Sequence, residues 1–129
     1  MPRTSQEQQN LDFVLAMYRD VLIPFDSSKV DQYISPDYVQ HSSLAPPGRE
    51  ALKQFLDFIR GQSPDAETHI KRAFVDGDHV IVHTHVIRHK GDRGMAVVDI
   101  FRLAGGMIVE HWDVLMDVPE NPVNPLPMF

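Results

Sequence analysis

The sequence predicts an α+β fold in which N-terminal helices pack on one face of a curved antiparallel sheet. Apolar residues recur at helical spacing in the first half of the chain and alternate with a period of two from Ala66 onward. Glycine-containing turns separate the alternating segments, as expected for a meander of hairpins. Because 129 residues suit one hydrophobic core, we assign residues 1–129 to a single domain.

Three helices are predicted before the sheet. The first spans Ser5–Ile23, with Ser5 and Gln8 fitting a capping box, and the short second helix spans Ser27–Tyr33. The third ends around Gly61. The apolar positions that define the first and third helices are Leu11, Val14, Leu15, Tyr18 and Leu22, and then Leu52, Phe55, Leu56 and Ile59.

The strand signals begin with a short segment, Tyr38–His41, which follows a break at Ser35-Pro36. Longer strands are predicted up to Val75 and over His79–His89, and two more are joined by a turn at Gly105-Gly106. The proline-rich tail, residues 119–129, is expected to run extended over the surface or across a partner subunit.

Composition excludes several classes of function. The net charge is -6 with scattered basic residues, which argues against a nucleic-acid partner, and the absence of cysteine excludes disulfides and thiolate chemistry. There is no apolar run of about 20 residues and no signal-like N-terminus, so we expect no membrane partner and a cytoplasmic location. No phosphate-binding loop or dinucleotide fingerprint is present, and no cofactor is expected.

The predicted strand His79–His89 carries four histidines at alternate positions, which place them on one face with Ile81 and Ile87: His79, His83, His85 and His89. A polar strand face or paired core histidines is favoured over a metal site, because no third ligand has recognisable spacing. His83, in the middle of the strand, is a candidate catalytic acid/base; a structural histidine with satisfied hydrogen bonds is the equal alternative.

Asp99 and Asp113 are the main catalytic candidates, because carboxylates in apolar strands need a partner or a chemical task. A strict two-residue turn at Gly105-Gly106 sets Asp99 opposite Trp112, whereas a longer loop or a β-bulge sets the two carboxylates side by side. Each could instead pair with Arg102 or Arg88 at the sheet surface.

A small apolar ligand could be held between helices and sheet. The residues expected to bind it are Trp112, Tyr38, Phe101 and Phe55, with His41 at the rim. Trp112 can equally be an ordinary core residue.

Several motifs together identify a family resemblance: Tyr38 to His41, Gly48 to Leu52, Asp76 to His83, Asp99 to Leu103 and Ile108 to Asp113. In this order the chain resembles the SnoaL-like polyketide cyclases of the nuclear transport factor 2-like and ketosteroid isomerase-like superfamily. The resemblance implies a cone-shaped α+β fold that encloses a pocket and a homodimer formed through the sheet.

For chemistry, the resemblance implies an intramolecular aldol condensation or isomerisation without metal or cofactor. Asp113 is similar in position to the family's acid/base aspartate, and His41 to a polar pocket residue. Asp99 stands where the known cyclases have a histidine.

The sequence therefore favours a cofactor-independent acid/base enzyme acting on a small apolar carbonyl compound. In it Asp113 removes a proton next to the carbonyl, and Asp99 or His83 supports the enolate oxygen. A non-catalytic ligand-binding or dimeric interaction domain is the alternative. Epoxide hydrolysis or dehydration is a further one, although strand alternation should point Arg102 away from Asp99.

Overall fold

The computed structural model of the protein describes residues 2–129. Two α-helices, α1 (Ser5–Met17) and α2 (Arg49–Gln62), flank a π-helical turn (Tyr18–Leu22) and a 3-10 helix (Ser27–Gln32). The strands are β1 (Ile34–Gln40), β2 (Glu67–Asp76), β3 (His79–Ile87), β4 (Met95–Ala104) and β5 (Met107–Asp117).

The five strands form one sheet in the order β1-β5-β4-β3-β2. Helices pack against one face of this curved sheet, which confirms the α+β prediction. The sheet is mixed rather than wholly antiparallel, because β1 runs parallel to β5. The buried side chains that join the layers include Val14 and Val21 from the helical side and Val80, Val82 and Ile108 from the sheet.

The first helix differs from its prediction at both ends. Thr4, not Ser5, is the N-cap, and it forms a reciprocal capping box with Glu7. The helical chain does reach Leu22, but its last part, Tyr18–Leu22, is π-helical. Such a turn widens the helix and is frequent at functional sites. Here it contains Tyr18, which is fully buried against the sheet.

The first strand starts at Ile34, earlier than predicted, and it includes Pro36. A proline is tolerated there because β1 is an edge strand of the sheet. Pro36, which was interpreted from the sequence as a break before the strand, is therefore consistent with the edge position of β1 in the sheet.

The hairpin between β4 and β5 combines both features that the sequence left as alternatives. Gly105 and Gly106 both have positive φ, so the turn is a tight two-residue one that pairs Ala104 with Met107. Beyond Leu103 the register shifts by one residue, and the extra residue is Val109 on β5. The bulge sets Asp99 directly opposite Asp113.

The two faces of the sheet have different environments. We call the helix-covered face the inner face and the opposite one the outer face. Phe74, Val114 and Met116 are exposed on the outer face. The tail after Asp117 has no regular structure, and its Phe129 stacks on His85 with ring centroids 4.2 Å apart. Within residues 2–129, no helix has the length and apolarity to span a membrane.

Candidate active site

A cavity of about 620 Å³ lies between the helices and the inner face of the sheet. This volume is in the range of pockets that enclose drug-sized ligands. Its walls are mainly apolar, and they include Phe55 from α2 and Phe101 from β4. Tyr38, Asp99 and Asp113 also line it, so these five predicted site residues share one cavity.

A hydrogen-bonded chain of side chains lines this cavity. Tyr18 donates to Asp99 Oδ2, and His111 Nε2 lies 2.8 Å from Asp99 Oδ1. On its other side, His111 Nδ1 is 2.6 Å from Gln40 Oε1, and Gln40 Nε2 donates to the Tyr38 hydroxyl over 2.9 Å. Asp99 and His111 are both buried.

One backbone group fixes the protons of this chain. The Ser42 N–H can only donate, and it lies 3.0 Å from Gln40 Oε1, so that atom is the amide oxygen. His111 Nδ1 must then carry a proton in order to donate to the same oxygen. His111 Nε2 and Asp99 consequently share one proton, and the pair is neutral as a whole whichever atom holds it.

The two tyrosines remain protonated. Burial raises the pKa of Tyr18 well above its usual value, and the negative charge of Asp99 raises it further. Burial also raises the pKa of Tyr38, with the Asp99 charge the next cause. Because Gln40 donates to the Tyr38 oxygen, the Tyr38 O–H is left to donate elsewhere.

Asp113 differs from Asp99 in its partners. Its Oδ1 atom is buried without a hydrogen-bond partner, although it lines the cavity. The Cα atoms of such directly opposed residues are about 4.5–5.5 Å apart, so the carboxylates are neighbours on the inner face. Asp99 is hydrogen-bonded to Tyr18 and His111, whereas the Asp113 carboxylate makes no side-chain hydrogen bond within residues 2–129.

The same cluster has the donor set for a divalent cation. Asp99, His111 and Asp113 each offer one ligand atom, and these atoms lie within 4.8 Å of one another. The sequence did not reveal this set, because its members come from two strands. Two of the three, however, are already hydrogen-bonded to each other.

The prediction that His83 lies on the covered face of the sheet is wrong. In β3 the even-numbered residues face the cavity, so His83 lies on the outer face beside Arg72 and Phe129. Because His83 does not line the cavity, it does not contact a ligand bound there.

His41 and Trp112 are also outside the cavity, contrary to prediction. Trp112 pairs with Ile100 on the outer face, and its ring stacks on His41 with centroids 5.1 Å apart. His41 Nε2 is 2.7 Å from Glu110 Oε2, and the other carboxylate oxygen of Glu110, Oε1, accepts a hydrogen bond from Arg102. As expected from strand alternation, Arg102 points away from Asp99, so no Asp-Arg-Asp set for water activation forms with it.

Sequence reasoning missed Tyr18, Gln40 and His111. A signal for His111 was present, because it is two residues from Asp113 and must share its face in a regular strand. Tyr18 was assigned only to the apolar stripe of the first helix, and nothing local to Gln40 distinguishes it from a surface residue.

Comparison with known proteins identifies relatives by sequence and by fold. A family model described as the SnoaL-like domain matches residues 14–111. No curated protein matches the chain significantly.

Solved structures with the same fold include three proteins of low sequence identity. A candidate polyketide cyclase from Bacillus cereus has a TM-score of 0.74 at 19% identity, over 88% of this chain and 78% of its own. A candidate ketosteroid isomerase from Kribbella flavida has a TM-score of 0.75 at 18% identity, over 95% and 93%. IdmH, a candidate polyketide cyclase from Streptomyces antibioticus, has a TM-score of 0.66 at 23% identity, over 83% and 91%.

Proposed function

The chain belongs to the SnoaL-like domain family, and from this premise we propose that it is a cofactor-independent acid/base enzyme acting on a small, largely apolar carbonyl compound. The reaction class is the aldol condensation, cyclisation or isomerisation associated with cyclases and isomerases of this fold. The observation that carries the proposal is Asp113, a cavity carboxylate with a buried oxygen that no protein group satisfies.

Asp113 is the general base in this proposal. It removes a proton from the carbon next to the substrate carbonyl, and the electron pair of that C–H bond moves to the carbonyl oxygen as an enolate. The surrounding walls are mainly apolar, and a substrate that fills the cavity displaces water from them, which strengthens each electrostatic contact with the developing charge.

Tyr38 supplies the hydrogen bond to the enolate oxygen. Its hydroxyl is protonated, lines the cavity and has its proton free, because Gln40 acts as donor to its oxygen. The neutral pair of Asp99 and His111 holds one further proton beside Asp113, and so it adds no second negative charge to oppose enolate formation. In this proposal Asp99 acts through the proton that it shares with His111, and His83 takes no part in the reaction.

Proton exchange at carbon tests this assignment without knowledge of the natural substrate. We would incubate 2-tetralone with the protein in D₂O and follow loss of its α-protons by NMR. The wild-type protein should accelerate the exchange, and Asp113→Asn should lower the rate about 100-fold or more. Glu110→Gln is the matched control, because it removes a carboxylate from the same strand but on the outer face.

Exchange that persists in Asp113→Asn would contradict the assignment. Binding of 2-tetralone with no accelerated exchange would instead favour the second candidate, a ligand-binding domain without catalysis. The feature that supports this candidate is the mainly apolar lining of the cavity.

We also propose that two copies associate through the outer face of the sheet. Three large apolar side chains, Phe74, Val114 and Met116, are more than half exposed there. Sedimentation equilibrium should give twice the mass of the chain, and Val114→Glu should convert it to monomer; a monomeric wild-type protein would contradict the proposal.

A further inference from the structure

Gln40 lies in the middle of the hydrogen-bonded chain, and its amide group joins the two ends. It is the last residue of β1, pairs with His111 on β5 and lines the cavity. Its Oε1 atom accepts from the Ser42 N–H over 3.0 Å and from His111 Nδ1 over 2.6 Å, whereas its Nε2 atom donates to the Tyr38 hydroxyl over 2.9 Å. An amide oxygen has two acceptor sites, so both sites of Gln40 Oε1 are occupied.

The backbone after β1 fixes the orientation of this amide. If the Gln40 amide were turned over, its NH₂ group would face the Ser42 N–H, and two donors would oppose each other. The residue between them is held to the sheet, because the His41 N–H donates to the His111 carbonyl oxygen over 2.9 Å. The direction of the Gln40 amide is therefore set by the main chain and not by the groups that it contacts in the cavity.

The direction of the amide sets the position of two protons. His111 Nδ1 must carry a proton to donate to Gln40 Oε1, so the other ring nitrogen, Nε2, shares its proton with Asp99. The Tyr38 oxygen accepts from Gln40 Nε2, so the Tyr38 O–H does not donate to Gln40 and is left for a ligand in the cavity. One side chain thus links the two groups that support the enolate in the proposed reaction.

We propose that Gln40 is a positioning residue: its amide keeps the Tyr38 O–H available to the substrate oxygen and holds His111 with a proton on Nδ1. Gln40 acts through Tyr38 and His111 and forms no bond to the reacting atoms. The inference rests on the proposed function for the role of Tyr38, whereas the effect on His111 is a property of the ligand-free protein.

Gln40→Glu exchanges one NH₂ group for an oxygen atom and keeps the size of the side chain. One carboxylate oxygen still accepts from the Ser42 N–H and from His111 Nδ1, but the other accepts where the amide donated. The Tyr38 hydroxyl keeps its proton, because burial raises its pKa, and it donates to this carboxylate instead of to the substrate. We expect proton exchange of 2-tetralone at pH 8 to fall about 100-fold, the usual loss when one oxyanion donor is removed.

Gln40→Met is the complementary variant, because it keeps the length of the side chain and has neither the amide oxygen nor the NH₂ group. The Tyr38 O–H stays free to donate, so this variant should lose less exchange than Gln40→Glu. The proton on His111 Nδ1, in contrast, loses its acceptor, whereas a proton on Nε2 still has Asp99. ¹⁵N NMR of the ring nitrogens should therefore show Nδ1 protonated at pH 8 in the wild type and in Gln40→Glu, and unprotonated in Gln40→Met.

A double-mutant cycle with Tyr38→Phe separates positioning from the charge that Gln40→Glu adds. Tyr38→Phe removes the donor itself and should also lower the exchange rate about 100-fold. Because Gln40 acts through the Tyr38 hydroxyl, the double variant should exchange no more slowly than Tyr38→Phe alone. If the new charge acts directly on Asp113 or the substrate, the two losses should multiply, and that result would overturn the proposal.

An exchange rate in Gln40→Glu equal to that of the wild type would overturn the assignment as well, and so would an Nδ1 proton that is absent in the wild type or retained in Gln40→Met. The NMR measurement uses the ligand-free protein and needs no turnover. If the wild-type protein shows no Asp113-dependent exchange, the proposed function fails, and the NMR result still decides whether Gln40 sets the proton of His111. If exchange depends on Asp113 but not on Gln40, only the positioning role is refuted.

Discussion

Replacing Thr84 by valine should make the ligand-free protein more stable. The Thr84 hydroxyl is buried without a hydrogen-bond partner, and such a group costs about 1–3 kcal/mol of folding free energy. Valine has nearly the same shape and a similar preference for strands, so the substitution removes that cost without leaving a void. We expect the free energy of unfolding to rise by about 1–2 kcal/mol.

Thermal unfolding measures this effect directly. For a chain of 129 residues the entropy of unfolding is about 270 cal/mol/K, so each kcal/mol raises Tm by about 4 °C. Calorimetry should therefore give Thr84→Val a Tm about 4–8 °C above wild type. Thr84→Ser, which keeps the hydroxyl and loses a buried methyl group, should be less stable than wild type.

An unchanged or lower Tm for Thr84→Val would refute the reasoning. It would mean that the hydroxyl is already satisfied in the free protein.

Three other predictions concern a turn, an acid-sensitive ion pair and the candidate cation site formed by Asp99, His111 and Asp113. Gly94→Ala should be destabilised by about 3 kcal/mol or more in urea unfolding, because its Cβ would lie 2.3 Å from the Val86 carbonyl oxygen. The control is Gly91→Ala, which has a similar φ but open space around it and should lose only about 1 kcal/mol of unfolding free energy. Equal losses in the two variants would contradict the prediction. Hydrogen bonds from the Arg88 side chain and backbone hold the pKa of Asp92 well below its usual range. The Arg88–Asp92 pair stabilises the fold above the unfolded-state pKa of about 3.9, and this stabilisation is lost as the pH falls below that value. The Tm difference between wild type and Asp92→Asn should therefore shrink from pH 5 to pH 2. A constant Tm difference would refute the prediction. EDTA should leave the exchange of 2-tetralone unchanged, whereas a loss restored by Mn²⁺ would make the Asp113 cluster a metal site.

The faces of individual strands could be predicted from the sequence, but the covered face could not. Alternation correctly separates Arg102 from Asp99, and it requires His111 to accompany Asp113. It gives His83 no preference for either side, because valines and histidines alternate in β3 and either set can face a core. The helices decide this by covering the valines.

The sequence by itself determined the helix-then-sheet order, the position of a glycine turn at Gly105-Gly106 and the presence of carboxylates in apolar strands. Only the tertiary structure decided that Asp99 and Asp113 are opposite each other, because this depends on the single extra residue Val109 in β5. A bulge at a residue such as valine has no local sequence signature, since its conformation is set by pairing with neighbouring strands. The chain of hydrogen bonds from Tyr18 to Gln40 depends on the same register, because it joins residues from a helix and three strands.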